Sequence, residues 1–276
     1  MISTGNLRTH LEQAAAPPSP ARAVATLARV EGRRLIGHPA VILTVVLAVV
    51  QIGPFLLSND ATRERNVGWL LQVAALFISF GALLSANLLA LKSRRDGSEE
   101  LFLSAPMSLT RRTLASALAG AWVTVLIALL LLVGDVAIRA AGKGAATDSG
   151  KALFPMFDLV QGPLMAGLFV LIGIVMARRL PKTAAGPLAV VALFLAGSSI
   201  LGADTNRAWF RLTPFSPTFL DDGGALQALH VVYLVAIGVV LVAVAVLPTH
   251  RAPKAGAWLA GGLSIATVSG ALQLTF

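Results

Sequence analysis

From Leu114 to Ile138 the chain reads LASALAGAWVTVLIALLLLVGDVAI, with Asp135 as its only charged residue. A helix rises about 1.5 Å per residue and the hydrocarbon layer of a bilayer is about 30 Å thick, so about 20 mainly apolar residues cross it. This block meets that requirement, and it is not alone. Pro39 to Leu57, Val67 to Leu91, Phe154 to Ala177, Thr183 to Leu201 and Ala225 to Leu247 are of the same kind. A seventh candidate, Gly256 to Phe276, is free of charge but rich in Gly, Ser and Thr. The expected fold class is all-α, a polytopic membrane helix bundle of six transmembrane helices with a candidate seventh.

Composition agrees. Hydrophobic residues make up 56% of the 276 positions and charged residues 13%, against about one quarter charged in a typical soluble domain. There is too little polar surface to coat a globule. The formal charge of +9 would suggest nucleic-acid binding in a soluble protein. Here the basic residues sit mainly at the ends of apolar blocks, where they set topology, and no nucleic-acid partner is expected. Cysteine is absent, which excludes disulfides and thiolate metal sites.

The first forty residues do not resemble a cleaved signal, because the polar leader is long and carries Glu12, Glu31, Pro17, Pro18 and Pro20. Residues 1–20 are expected to form a retained, disordered tail. Lys and Arg are held preferentially on the cytoplasmic side. With the N-terminus inside, 15 of the 22 fall on inner segments, among them Arg33, Arg34, Lys92, Arg94, Arg95, Arg111, Arg112, Arg178, Arg179 and Lys182. Arg63, Arg65, Arg139, Lys143, Lys151, Arg207 and Arg211 fall outside. The expected topology is therefore multi-pass in the cell membrane with a cytoplasmic N-terminus.

Ahead of the first span, residues 21–37 place Val24, Leu27, Ala28 and Leu35 on one side of a helix and Arg22, Arg29 and Arg33 on the other. That is the pattern of an amphipathic helix in the headgroup layer, its arginines toward anionic lipid. Glu31 falls on the apolar side. Small residues also recur at helical spacing within spans, as in Gly81 with Ser85, Ala82 with Ala86 and Gly173 with Ala177, which predicts close helix packing.

Between the second and third spans, residues 92–106 read KSRRDGSEELFLSAP. Asp96 can cap a helix whose third position is Glu99. Pro106 halts that helix, and Ser108 or Thr110 can cap the next. The segment therefore predicts a short helix bracketed by two stops.

Gly97, Ser98, Glu99, Glu100, Leu101, Leu103 and Pro106, followed by Arg111 and Arg112, resemble the loop after the second span in the membrane (permease) subunits of type-2 ABC exporters. Ser98 replaces a Thr of that family's pattern and Glu99 a Leu. The similarity covers residues 21–250, including a helix before the first span and a long segment with Trp209, Phe210, Pro214, Phe215, Pro217 and Phe219 between the fifth and sixth. Residues 251–276 lie beyond it. The resemblance implies that the loop over 92–112 is a coupling helix docked on a separate ATPase subunit. Asp96, Gly97, Ser98, Glu99, Glu100, Leu101, Phe102 and Pro106 would make that contact. It also implies two copies of the ATPase, which hold ATP and Mg, and a second permease subunit as a homodimer partner.

No glycine-rich phosphate loop ending in Gly-Lys-Ser/Thr is present, the nearest string being Ala145 to Ala152. The chain is expected to bind no cofactor and to hydrolyse nothing itself. The four histidines, His10, His38, His230 and His250, show no metal-ligand spacing. Ionisable groups within a span are costly and are functional candidates. Asp135 can pair with Arg139 four residues on, and Asp158 can reach the headgroups. Gln51, Gln72 and Asn87 can bridge helices or line a path. The alternatives are a secondary carrier, which needs broken helices or charge at mid-membrane, and a scaffold, which needs neither.

Overall fold

The computed structural model describes residues 19–57, 67–95, 108–140, 156–180, 182–201, 224–247 and 253–275. Among them all regular structure is helical. The helices are α1 (Pro20–Ile36), α2 (Pro39–Leu57), α3 (Val67–Arg95), α4 (Leu109–Ala140), α5 (Met156–Arg179), α6 (Ala185–Leu201), α7 (Gly224–Val246) and α8 (Pro253–Thr275). The tail before residue 19 lies outside the described residues, as does the expected short helix within 96–107.

Among the described residues five segments are long and apolar enough to cross a bilayer: Val73–Lys92, Leu109–Gly134, Val160–Arg179, Ala225–Val246 and Ala255–Leu274; the expected span over Thr183 to Leu201 is represented by α6, a shorter apolar helix that does not reach this length. The bent pair α1 and α2, which meet at 53°, qualifies jointly as a sixth. The chain is therefore a multi-pass membrane protein. The charge-free tail from Gly256 is one of the five, carried by α8. Several helices outrun their apolar blocks. Helix α4 starts at Leu109 rather than Leu114, and α3 continues to Arg95 beyond Leu91. An apolar block marks where hydrocarbon ends, whereas the helix itself continues through residues whose charged tips can reach water.

Helices α3 and α5 form the centre of the bundle. In their spanning windows 61% of residues are buried, against 28% in α4, 33% in α7 and 22% in α8. Helix α5 packs against α3, α4 and α7, while α2 lies on α3, α1 on α4 and α8 on α7. Leu83, Val123, Ile127, Phe169 and Val170 are fully buried at these contacts. Phe80 meets Phe169 edge-on, with ring centroids 5.3 Å apart, the arrangement ring quadrupoles favour.

Close approach of α3 and α5 depends on Gly173, where a Cβ would run into the Leu83 carbonyl and the Ala86 side chain. Small residues serve this purpose in membranes, where helices associate by tight packing rather than by exclusion of water. The outer faces of α2, α4 and α8 expose Leu43, Val50, Val125, Leu132, Val133, Ile265 and Val268. So large an apolar exterior suits lipid and not water.

Candidate functional site

One end of the bundle gathers the last turns of α3 and α5 and the first turn of α4. Ser108 caps α4: the Arg111 amide donates to its Oγ at 3.4 Å, and the Arg112 amide to its carbonyl at 3.1 Å. These bonds satisfy donors that a helix start leaves open. Residues 96–107 leave α3 just before this point and return at the cap. The candidate coupling residues Asp96, Gly97, Ser98, Glu99, Glu100, Leu101, Phe102 and Pro106 lie outside the described residues.

Helix α1 flanks this end. Arg22, Arg29 and Arg33 are exposed, and Val24, Ala28 and Leu35 are buried. Much of the apolar stripe packs on α4. Val24 and Ala28 cluster with Ala115, and at Gly32 any side chain would collide with the Trp122 indole. An amphipathic pattern states that one face needs apolar cover without specifying what supplies it.

The same contact explains Glu31. The Ser116 hydroxyl of α4 hydrogen-bonds its carboxylate. Burial pushes the Glu31 carboxyl above its usual value; Ser116, then Arg178, Arg34 and Arg112, draw it part of the way back. One acid thus sits at the α1–α4 contact, within electrostatic reach of three guanidinium groups.

The polar residues within spans have different surroundings. Asn87 is fully buried, and its Nδ2 donates to the Gly173 carbonyl across the α3–α5 contact at 3.2 Å. Its Oδ1 has no hydrogen-bond partner among the described residues and rests against Gly186 of α6. Gln51 is exposed and bridges no helices among the described residues. It lies on the outward face of α2, which its sequence position alone could not reveal. The side chains of Gln72, Asp135 and Asp158 lie outside the described residues, and so does the expected pair of Asp135 with Arg139.

Two further polar contacts were not anticipated. His38 opens α2: the Ala40 amide donates to its Nδ1 at 3.2 Å, and Ser85 Oγ of α3 lies 2.9 Å from the same nitrogen. Accepting the amide proton places the imidazole hydrogen on Nε2. Between α7 and α8, His230 Nδ1 lies 3.0 Å from Gln273 Oε1. Gln273 Nε2 donates to the Ser269 carbonyl at 3.2 Å. His230 and Gln273 are 43 positions apart, so only the pairing of α7 with α8 makes them neighbours. The advance signals were His230 within one apolar block and Gln273 within another that carries no charge.

Among the described residues no group of three or more His, Cys, Asp or Glu side chains could hold a metal. In comparisons with protein-family profiles, curated proteins and solved structures, nothing matches this chain.

Proposed function

We propose that this chain is the transmembrane permease subunit of an ATP-binding cassette exporter in the cell membrane, with its N-terminus in the cytoplasm. It forms the translocation path with a second copy of itself. Two separate ATPase subunits bind ATP and Mg and perform the hydrolysis, and this chain performs none. The reading is carried by the segment Gly97, Ser98, Glu99, Glu100, Leu101, Leu103 and Pro106 followed by Arg111 and Arg112, between two spanning helices.

The manner in which the ends of that segment are held supports the reading. A rigid element transmits motion only if its attachments are rigid. Ser108 fixes the start of α4, and α1 clamps the same stretch through Glu31 and Ser116. Helix α3, at the other attachment, is a central helix of the bundle. Closure of an ATPase on residues 96–107 would thus be delivered to α3 and α4 together.

The test is affinity purification of the full-length chain from its native membranes in mild detergent. Recovery of a Walker-type ATPase at equal stoichiometry, lost in Leu101→Asp while the chain remains monodisperse, is the expected result. Purification with no ATPase, or an ATPase retained equally by Leu101→Asp, would overturn the assignment.

A further inference from the structure

A laterally open groove of about 520 Å³ lies between α4, α5 and α7, with Trp258 of α8 at its rim. Its walls are Ala117, Gly120 and Ala121 on α4, Gly167 and Leu168 on α5, and Gly238 on α7, with others of the same character. Thr124 is the one lining residue with a polar side chain other than Trp258, and its hydroxyl is turned back to the Gly120 carbonyl at 3.2 Å. Apart from the Trp258 indole, the groove therefore offers little to a polar ligand. At the depth of these spans the surroundings are hydrocarbon, and an empty furrow would forfeit dispersion contacts along its whole length.

The charge at its mouth identifies the occupant more closely. Arg179 follows Leu168 by eleven residues, about three helical turns, so it stands on the groove side of α5 about 16 Å along the axis. That separation is close to the depth of one leaflet, half of about 30 Å. Arg179 is exposed, and one Nη2 hydrogen bond to the Val244 carbonyl, at 2.9 Å, fixes it between α5 and α7, two of the three helices that flank the groove. A guanidinium carries five N–H donors in a rigid fork suited to phosphate, and this bond uses one. Arg111, Arg112, Arg178 and Lys182 add positive charge at the same end. Trp258, 45% exposed, sits near the start of α8, where indoles favour the headgroup level.

We propose that this groove seats one acyl chain of an anionic phospholipid whose phosphate is held by Arg179. Charge above and hydrocarbon below, one leaflet apart, match a lipid with an anionic head, and the forked guanidinium favours a phosphate. The inference requires only that the helices cross a membrane and is independent of any ATPase.

The full chain is reconstituted in nanodiscs of mixed phosphatidylglycerol and phosphatidylcholine, and retained lipid is counted by native mass spectrometry. Wild type retains phosphatidylglycerol preferentially, and Arg179→Gln lowers that preference about fivefold, the effect of one basic residue at an anionic surface. Ala121 is exposed and lines the groove, so Ala121→Phe fills it without displacing a neighbour. In that variant, labelling of α4 and α7 by a phosphatidylglycerol carrying a photoreactive acyl chain falls severalfold. Both variants are first checked for monodispersity. Equal retention of the two lipids by wild type, a preference unchanged in Arg179→Gln, or labelling unchanged in Ala121→Phe would overturn the proposal. So would a disulfide-linked dimer formed by Ala121→Cys in native membranes, since the furrow would then receive a second copy of the chain.

Discussion

Nδ1 of His230 stands 3.0 Å from Oε1 of Gln273, both side chains fully buried, and this bond ties α8 to the rest of the bundle. His230 lies near the start of α7 and Gln273 near the end of α8, so the two helices run antiparallel. Within a bilayer such bonds contribute about 0.6 kcal/mol on average, and at most about 1.7, by double-mutant cycles. Gln273→Leu is expected to lower stability by about 1 to 2 kcal/mol, because it leaves a buried donor facing hydrocarbon. His230→Leu combined with Gln273→Leu recovers part of that loss. Thermal melting of the four purified proteins in one detergent measures the coupling, and strictly additive losses would show that the two residues do not interact.

The antiparallel pairing also sets the side of the C-terminus. If α7 ends in the cytoplasm, α8 returns its last residue to the opposite face. Because the chain has no cysteine, Phe276→Cys offers a single labelling site. It is expected to react with a membrane-impermeant maleimide from outside intact cells, and reaction only after lysis would place α8 elsewhere.

Gly173 tests the centre of the bundle. Gly173→Val must push α3 from α5, because the Leu83 carbonyl occupies the space that the new side chain would need. Overpacking of this kind costs about 1 to 3 kcal/mol. The expected readout is a lower melting temperature together with loss of the Asn87 bond to the residue 173 carbonyl. Gly256→Val meets nothing within contact distance and serves as the control.

Helix α1 should release its hold as pH rises. The folded-state pKa of Glu31 is raised above 4.5 by burial, so its contribution is fully present below the unfolded value and is lost as pH rises through the folded value. Wild type should therefore lose stability relative to Glu31→Gln from pH 4.5 upward, and the difference should level off once the carboxyl is ionised. Melting curves of both proteins across this range decide the matter. A constant difference would mean that burial does not govern this carboxyl.

These residues show what a linear reading reaches. Apolar blocks located the helices because span length is a property of consecutive residues, and the face of α1 was legible because Val24, Ala28 and Leu35 share one side. What covers that face was not, since Ala115 and Trp122 arrive from about ninety positions away. Glu31 looked misplaced for the same reason: Ser116 and Arg178 become its neighbours only after α1, α4 and α5 assemble. Gln51 and Asn87 looked alike in sequence, yet one faces outward and the other crosses to Gly173. Neighbouring helices made the difference, and a single segment does not encode its neighbours.

The exporter reading stands or falls on the side of the membrane that residues 96–107 occupy. Glu100→Cys, again the sole cysteine, is to be treated with an impermeant maleimide in intact cells and in inside-out vesicles. Labelling in the vesicles alone, blocked when the ATPase partner is bound, is the predicted result. Labelling of intact cells would place Glu100 beyond the reach of any cytoplasmic motor and contradict the assignment.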